Sequence, residues 1–305
     1  MPTKKKSRMS NGEKGSSSHS GASSCPPPKG VLIAIGGHEQ KDVNKKSQEE
    51  SEYDEFASDI ILQRFVDELR GDGPVLVIPT ASEEPVESGQ DYVKVFTDLG
   101  LKRVEVLDIR SRDEVDTEEN LRLLDEAAGM MFTGGDQLRL TAILGGTEFL
   151  KRIKQRYTES HFVIGGTSAG AAAMSTPMIY QGRNDAGYQK DEIHITTGLQ
   201  FMHDVAIDTH FVKRGRIVRM AQIIATNPGC IGIGLEEDTG IVVTNGKDIE
   251  VVGNGLVVVV DGLHCNGNTI HEIKPGEVFS IRDLHLHLLA RGQRYVIPVL
   301  EQMYS

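Results

Sequence analysis

From residue 31 onward the chain alternates short apolar runs with stretches whose apolar residues recur at helical spacing. The first run covers residues 31–35, and Phe56, Ile60, Phe65 and Leu69 follow it at helical intervals. The alternation continues as far as residue 132. Strands that are separated by helices pair in parallel, and the helices then cover both faces of the sheet. We therefore predict an α/β fold, a three-layer sandwich with a largely parallel central sheet.

The pattern changes after about residue 230, where short apolar runs are separated by Gly and Asn. Such runs lie at residues 241–243, 249–252 and 256–260, and turn residues at this spacing favour antiparallel strands. We expect these strands to extend the central sheet near the C-terminus, so that residues 30–305 form a single α/β domain. Residues 1–29 are rich in Lys, Ser, Gly and Pro and are predicted to form a disordered basic tail.

One serine lies where an apolar run changes abruptly into a series of small residues. Gly166 and Gly170 flank Ser168 and permit a tight turn, and the alanines that follow allow a helix to begin close to the sheet. A hydroxyl at this turn points to the carboxyl edge of the sheet, where α/β folds bind ligands. The motif is typical of a nucleophilic serine, with the backbone N–H of Ala169 stabilising an oxyanion. The alternatives are a phosphate-binding loop, although the usual phosphate-loop spacings are absent, or a turn that serves only packing.

A serine nucleophile requires a base, and His210 lies where such a base is needed. It follows the apolar run at residues 205–207 together with Asp208 and Thr209, so it stands at a second strand end on the rim of the sheet. The alternative is a structural histidine that is held by one hydrogen bond to a carbonyl group.

Four basic residues follow His210 directly in an otherwise acidic protein: Lys213, Arg214, Arg216 and Arg219. On a helix, residues three apart face the same side, so Arg216 and Arg219 are expected together. Guanidinium groups bind carboxylates in bidentate fashion. Beside a base, this cluster predicts a substrate that carries an acidic group, whereas a solvated helix face is the alternative.

Three carboxylates end another apolar run, at Glu236, Glu237 and Asp238. One of them is expected to orient the imidazole as the third member of a triad, and a solvated acidic turn is the alternative. The order serine, histidine, acid differs from that of the α/β-hydrolases, chymotrypsin and subtilisin. The sequence therefore predicts the same chemistry on another fold.

Composition narrows the possible partners. A formal charge of −11 argues against binding to nucleic acid or to an anionic membrane, and no apolar run approaches the length that spans a bilayer.

Cys25, Cys230 and Cys265 are too few for a disulfide framework, which together with the lack of a secretion signal favours the cytoplasm. His285 and His287 would share one face of a strand, but no third ligand accompanies them, so we expect neither a metal nor another cofactor.

Several separated motifs, taken in order, resemble those of the cyanophycinase family. They are FTGGDQL at residues 132–138, GTSAGA at 166–171, DTHF at 208–211 with the arginines that follow, and GLEEDT at 234–239. Residues 34–37, 78–82 and 280–284 also look like segments of that family. The resemblance covers nearly all of the chain from residue 30 to its end.

The resemblance implies a fold similar to class I glutamine amidotransferases and aspartyl dipeptidase, and a homodimer. It also implies a serine exopeptidase that acts on cyanophycin, a polyaspartate whose β-carboxyls carry arginine, and releases β-aspartyl-arginine dipeptides through an acyl-enzyme. By motif, Ser168 is the nucleophile, His210 the base and Glu237 its orienting partner, with Glu236 and Asp238 as alternatives.

The resemblance also assigns residues around the triad. The backbone N–H groups of Gly135 and Ala169 form the oxyanion hole. Substrate contacts are assigned to Asp136, Gln137, Asp208, Thr209, Arg214, Arg216 and Arg219. Thr209 stands where some members of the family carry Gln, so a contact through that longer side chain is missing or replaced.

Three other functions fit parts of the sequence. An aspartyl or isoaspartyl dipeptidase of the same fold needs the triad but fewer arginines, and a polymer-binding protein without activity needs no intact triad. A glutamine amidotransferase needs a cysteine at position 168, where this chain has serine.

Overall fold

The structure, a computed structural model, describes residues 26–37, 51–183 and 186–298, and for residues 51–59 the backbone alone. Residues 1–25 of the predicted tail, together with Cys25, therefore lie outside the described residues, as does the Phe56 side chain. The described helices are α1 (Ser51–Glu68), α2 (Pro85–Asp98), α3 (Glu118–Glu126), α4 (Gln137–Leu144), α5 (Glu148–Glu159), α6 (Ala169–Ala173) and α7 (Ile217–Thr226).

The described strands group into two large sheets and one hairpin. The strands from the first half of the chain are β1 (Val31–Ile35), β2 (Val75–Ile78), β3 (Val104–Val106), β4 (Gly129–Phe132) and β5 (Val163–Thr167). Those that follow are β6 (Ser175–Thr176), β7 (Met178–Gly182), β8 (Ile193–Thr196), β9 (Met202–His203), β10 (Val205–Thr209) and β11 (Ile231–Leu235). The last are β12 (Thr239–Thr244), β13 (Asp248–Gly253), β14 (Val257–Asp261), β15 (His285–Leu289) and β16 (Arg294–Val296).

The larger sheet has the order β16-β13-β12-β1-β5-β4-β2-β3. Strands β1, β5, β4, β2 and β3 run parallel, and β12, β13 and β16 extend the sheet in antiparallel fashion. This arrangement confirms the predicted fold class. Strand β3 ends at Val106 although the apolar pattern continues to residue 109, and the buried Leu107 and Ile109 lie in irregular backbone.

Burial on both faces of β1 explains the continuous apolar runs of the central strands. Side chains alternate between the two faces of a strand, and Leu32 packs into one apolar cluster whereas Ile33 packs into another. Helices α1 and α2 cover the face of Ile33 with Phe65 and Phe96, and α3, α4 and α5 cover the opposite face. These are the three predicted layers.

A second sheet has the order β15-β14-β11-β10-β6-β9. Within it β10 and β11 pair in parallel, and β14 and β15 continue in antiparallel fashion. The sequence pattern did not separate this sheet from the first, and in the structure β11 and β14 join it rather than the central sheet. One apolar cluster contains Ile164 of the central sheet together with Val205 and Val257 of the second, so the two sheets share a core. No helix within the described residues is both long and apolar enough to cross a membrane.

Candidate active site

Successive backbone carbonyl groups at the end of β1 bind the segments that carry the candidate catalytic residues. The carbonyl of Ile35 accepts a hydrogen bond from the N–H of Ser168 (2.9 Å), and that of Gly36 accepts one from His210 (3.1 Å). The carbonyl of Gly37 accepts a hydrogen bond from the N–H of Asp238 (3.3 Å). Because β1 belongs to the central sheet and His210 follows β10 of the second sheet, this loop connects both sheets at one point.

The turn at Ser168 has the strained backbone that the sequence motif predicts. Its φ is +49° and its ψ is −108°, between the end of β5 and the start of α6. A side chain rarely adopts positive φ without support from the surrounding structure. Gly170 brings α6 against β4, because a Cβ atom there would lie 2.5 Å from the carbonyl oxygen of Phe132.

Ser168, His210 and Glu237 form one hydrogen-bonded chain. The Oγ of Ser168 lies 3.1 Å from Nε2 of His210, and Nδ1 of His210 lies 2.8 Å from Oε1 of Glu237. An ionised carboxylate only accepts hydrogen bonds, so the neutral imidazole carries its proton on Nδ1 and Nε2 accepts the serine proton. His210 is 5 % exposed, and the Glu237 side chain is 15 % exposed.

The structure distinguishes the three neighbouring carboxylates. Glu237 reaches His210, whereas Oε2 of Glu236 accepts from the backbone N–H groups of Val212 and Lys213. Asp238 has a φ of +49° and forms the turn into β12. The geometry therefore favours Glu237 as the orienting carboxylate.

Gly37 leaves the room that His210 occupies. A Cβ atom at this position would lie 2.6 Å from Cε1 and 2.7 Å from Nε2 of His210, and 3.2 Å from Cβ of Ser168. Its φ is +100°, which also favours glycine. A glycine at position 37 is thus required for the imidazole to approach the serine.

A cavity of about 550 Å³ opens above Ser168 and His210. Gly134, Gly135 and Thr167 line it beside the serine. Its other lining residues follow β2 or lie on α2, and they are Ser82, Glu83, Glu84, Ser88, Asp91 and Tyr92. The Tyr92 hydroxyl is hydrogen-bonded to the side chain of Thr167, and burial raises its pKa.

The residues after β2 and on α2 were not identified as site residues from the sequence. Ser82 belongs to a segment that resembled the family, but Glu83 and Glu84 look like ordinary surface residues in the chain. Their position after a parallel strand was the available signal, since the carboxyl ends of parallel strands meet at one edge. Asp91 and Tyr92 gave no comparable signal, because they lie inside a helix.

The loop after β4 lies against the serine. A Cβ atom on Gly134 would lie 3.5 Å from Cβ of Ser168. Gly135 has a φ of +135°, and a Cβ atom there would lie 2.0 Å from the carbonyl oxygen of Ala81. Ala169 is the first residue of α6 and directly follows the serine. Both predicted oxyanion donors therefore belong to backbone that lies next to Ser168.

Asp136 and Gln137 make internal contacts. The carboxylate of Asp136 caps α4, since its Oδ1 accepts from the N–H groups of Leu138 (2.8 Å) and Arg139 (3.3 Å). The side-chain amide of Gln137 donates to the carbonyl of Ile179 (2.9 Å). Neither residue lines the cavity above Ser168 in the described part of the chain.

Asp208 binds two of the predicted substrate arginines. Its Oδ1 lies 2.7 Å from Nη1 of Arg216, and its Oδ2 lies 3.0 Å from Nε of Arg219. Arg216 occupies the N-cap position of α7, outside the helix and without a capping hydrogen bond from its side chain. Its Nη1 also donates to the carbonyl of Thr209 (2.7 Å). This ion cluster therefore supports the backbone immediately before His210, and Arg214 lies exposed beyond it.

Burial dominates the electrostatics of this cluster. Asp208 is 2 % exposed and Arg219 is 6 % exposed. Burial raises the pKa of the Asp208 carboxyl, and the charges of Arg219 and Arg216 act in the opposite direction. Burial also lowers the pKa of the Arg219 guanidinium. Each charged group thus depends on its partners, because an unpaired buried charge is strongly unfavourable.

Among the described residues, the cysteines and histidines outside the site show no comparable arrangement. Burial raises the pKa of Cys230 to about 12, so this thiol stays protonated and is a poor nucleophile. Within the described residues no group of three or more His, Cys, Asp or Glu side chains is placed to hold a metal ion. His285 and His287 lie on β15, as expected.

Comparison with known proteins shows the family to which the sequence is similar. Residues 47–251 match the model of peptidase family S51. The chain is 34% identical to a cyanophycinase of Geminocystis herdmanii over 265 residues, which are 87% of this chain and 92% of that protein. It is 33% identical to a cyanophycinase of Synechococcus elongatus over 268 residues (88% and 79%), and 33% identical to one of Trichormus variabilis over 237 residues (76% and 80%).

A solved structure shares the fold. The crystal structure of a peptidase from an acI-B1 Actinobacterium superposes with a TM-score of 0.61 at 22% sequence identity, covering 89% of this chain and 98% of that one. At this identity the similarity supports the architecture alone.

The position of Gly37 generates a test of the site geometry. We expect Gly37→Ala to displace His210 and to slow labelling of Ser168 by a fluorophosphonate probe at least about tenfold, since a displacement of about 1 Å is enough for such a loss. Gly100→Ala is the matched control, because Gly100 also has positive φ (+93°) but no atom lies within 4 Å of the added carbon. Equal labelling rates in the two variants would contradict this geometry.

The Asp208 cluster generates a test of stability. Asp208→Ala leaves two buried guanidinium groups without their partner, so the free energy of unfolding should fall by about 3–5 kcal/mol. Asp125→Ala removes an exposed ion pair with Arg152 and should lower it by less than about 1 kcal/mol. Urea denaturation of both variants measures the difference, and similar losses would mean that the cluster is not a buried support.

Proposed function

This chain belongs to peptidase family S51, and on that basis we propose that it is a serine exopeptidase that degrades cyanophycin to β-aspartyl-arginine dipeptides. The observation that carries the proposal is the hydrogen-bonded chain from Ser168 through His210 to Glu237, with distances of 3.1 and 2.8 Å. Ser168 and His210 line a cavity of about 550 Å³, in which the end of a polymer can bind. The three relatives named above, which are 33–34% identical to this chain, are cyanophycinases.

The proposed mechanism follows from the proton positions. Ser168 Oγ attacks a backbone carbonyl carbon near the C-terminus of the polymer, while its proton moves to Nε2 of His210. Glu237 holds the opposite ring nitrogen and stabilises the imidazolium. The tetrahedral intermediate collapses, the C–N bond breaks, and His210 donates the proton to the leaving amine. This first step releases the C-terminal dipeptide as the amine and leaves the shortened polymer as an acyl group on Ser168. Water then attacks the acyl-enzyme with His210 again as the base, and releases the shortened polymer and free Ser168.

The negative charge on the tetrahedral oxygen requires donors beside the serine. We propose the backbone N–H groups of Gly135 and Ala169 for this role. The proposal is supported by the position of both segments next to Ser168 and by the glycine-only backbone at Gly135.

The charges that line the cavity support a substrate that carries guanidinium groups. Glu83, Glu84 and Asp91 line the cavity that contains Ser168. Their carboxylates match the arginine side chains of cyanophycin, since a guanidinium pairs with a carboxylate through parallel hydrogen bonds. We propose that this acidic side of the cavity receives an arginine of the polymer.

We propose that the remaining residues implied by the family motifs form the other side of the substrate site. Asp136 and Gln137 shape the loop after β4, and Asp208 and Thr209 shape the backbone before His210. The arginines are proposed to bind a substrate carboxylate: Arg214, Arg216 and Arg219. For Arg214 this is supported by its exposed position on the segment that directly follows His210.

Three further statements are part of the proposal. Residues 30–305 form one catalytic domain behind a tail of residues 1–29, which is supported by the apolar core shared between the two sheets. The protein acts as a homodimer, as its family resemblance implies. It works in the cytoplasm, which is supported by free thiols at Cys230 and Cys265 among the described residues.

The direct test is release of dipeptide from purified cyanophycin. Wild-type protein should release β-aspartyl-arginine, and Ser168→Ala should reduce the rate by at least about 10³-fold with unchanged folding. Ser175→Ala is a matched control, because this nearby serine is buried and donates to the carbonyl of Ala172. A folded wild-type protein that releases no dipeptide from cyanophycin but hydrolyses aspartyl or isoaspartyl dipeptides to free amino acids would instead identify a dipeptidase.

The acidic side of the cavity generates a second test. The double change Glu83→Gln and Glu84→Gln should raise KM for cyanophycin about threefold to tenfold, because exposed ion pairs contribute up to about 1 kcal/mol each. The value of kcat should change less, and high salt should reduce the difference from wild type. Asp98→Asn with Glu105→Gln removes two exposed carboxylates outside the cavity and should leave KM unchanged. An equal rise in KM for both double variants would reject the acidic subsite.

A further inference from the structure

Lys213 is in contact with the carboxylate that orients the proposed base. Oε1 of Glu237 accepts from Nδ1 of His210 at 2.8 Å, and Oε2 of the same carboxylate accepts from Nζ of Lys213 at 2.7 Å. Each oxygen of Glu237 thus has its own donor. The two contacts together determine the rotation of the carboxylate, whereas one contact alone permits the group to turn.

The backbone of Lys213 is itself tied to this region. Its N–H donates to Oε2 of Glu236 at 3.1 Å, as does the N–H of the preceding Val212. The N–H of Arg214 donates to the carbonyl of His210 at 3.0 Å. Lys213 therefore lies on a short turn that is bound to the histidine at one end and to the residue before Glu237 at the other.

These contacts distinguish the ion pair between Lys213 and Glu237 from an ordinary ion pair on the surface. Its side chain is 53 % exposed and that of Glu237 is 15 % exposed, and pairs of this kind contribute little to the free energy of unfolding. A small effect on stability is nevertheless compatible with a large effect on rate, because catalysis depends on the orientation of the groups that react. The second contact of a carboxylate that holds a histidine orients that histidine in turn.

We propose that Lys213 is a positioning residue for the proposed triad, which acts by holding the Glu237 carboxylate in the rotation that His210 requires. The inference rests on the proposed function. It changes the interpretation of this lysine in the basic cluster, because its ammonium group contacts a catalytic carboxylate of the protein.

Replacement of the lysine tests the proposal. Lys213→Met keeps the length and the apolar stem of the side chain but removes its charge. We expect kcat for cyanophycin to fall about threefold to tenfold with KM changed less than about twofold, because orientation and not binding is lost. Lys213→Arg should retain at least half of the wild-type kcat. Lys151→Met is the matched control, since Lys151 forms an exposed ion pair with Glu148 on α5 and, among the described residues, contacts none of the proposed triad. This variant should retain wild-type kcat and KM.

A double-mutant cycle tests whether Lys213 acts through Glu237. In a Glu237→Gln background, Lys213→Met should have no further effect, since interacting residues are not additive. The rate of labelling of Ser168 by a fluorophosphonate probe is measured for all four proteins of the cycle. A full additional loss in the Glu237→Gln background would overturn the proposal, as would a rise in KM with unchanged kcat or a loss in Lys213→Arg equal to that in Lys213→Met.

The labelling experiment also separates this proposal from the proposed function. It reports on the reactivity of Ser168 without cyanophycin. If wild type releases no dipeptide, the substrate assignment fails, whereas the labelling cycle still decides the role of Lys213.

Discussion

The site depends on the hydrogen bonds that successive carbonyl groups after β1 accept from three other segments. Ile35 holds the nucleophile turn, Gly36 holds His210, and the following carbonyl holds the turn that starts at Glu237. The central sheet supplies Ser168 and the second sheet supplies His210, so neither sheet alone contains the reactive pair. Backbone carbonyl groups can hold these three segments in position without placing a side chain in the cavity. The absence of a side chain at Gly37 then permits the imidazole to reach Ser168.

Backbone strain is concentrated at the same place. Ser168, His210 and Asp238 have φ values of +49°, +50° and +49°, which non-glycine residues adopt only when the surroundings determine them. The buried pairs of Asp208 with Arg216 and Arg219 provide such surroundings for His210. Since Arg216 also binds the backbone carbonyl of residue 209, the charged cluster restrains the chain directly before the base. The arginines thus have a structural task in addition to the substrate role that we propose for them.

The charges around Ser168 form two groups of opposite sign. Glu83 and Glu84 line the cavity on the side of β2, and the arginines after His210 lie on the side of the second sheet. Each repeating unit of a polyaspartate that carries arginine contains a guanidinium and a carboxylate, which is why we propose the acidic lining for the guanidinium and the arginines for the carboxylate. Lys213 belongs by sequence to the basic group, but its contact with Glu237 connects it to the catalytic carboxylate instead. Charge sign alone therefore did not identify the task of each residue.

The sequence by itself determined the alternation of strands and helices, the strand ends at Ser168 and His210, and the parallel central sheet, because these follow from local spacing and turn residues. It left three carboxylates as partners for His210 and placed the strand near residues 256–260 in the central sheet, whereas β14 belongs to the second sheet. Only the tertiary structure decided that Glu237 contacts the imidazole, that Asp208 binds Arg216, and that residues after β2 line the cavity. The physical reason is that strand partners are selected by contacts between residues far apart in the chain. Local patterns show where a strand ends, whereas the pairing of strands decides which ends meet.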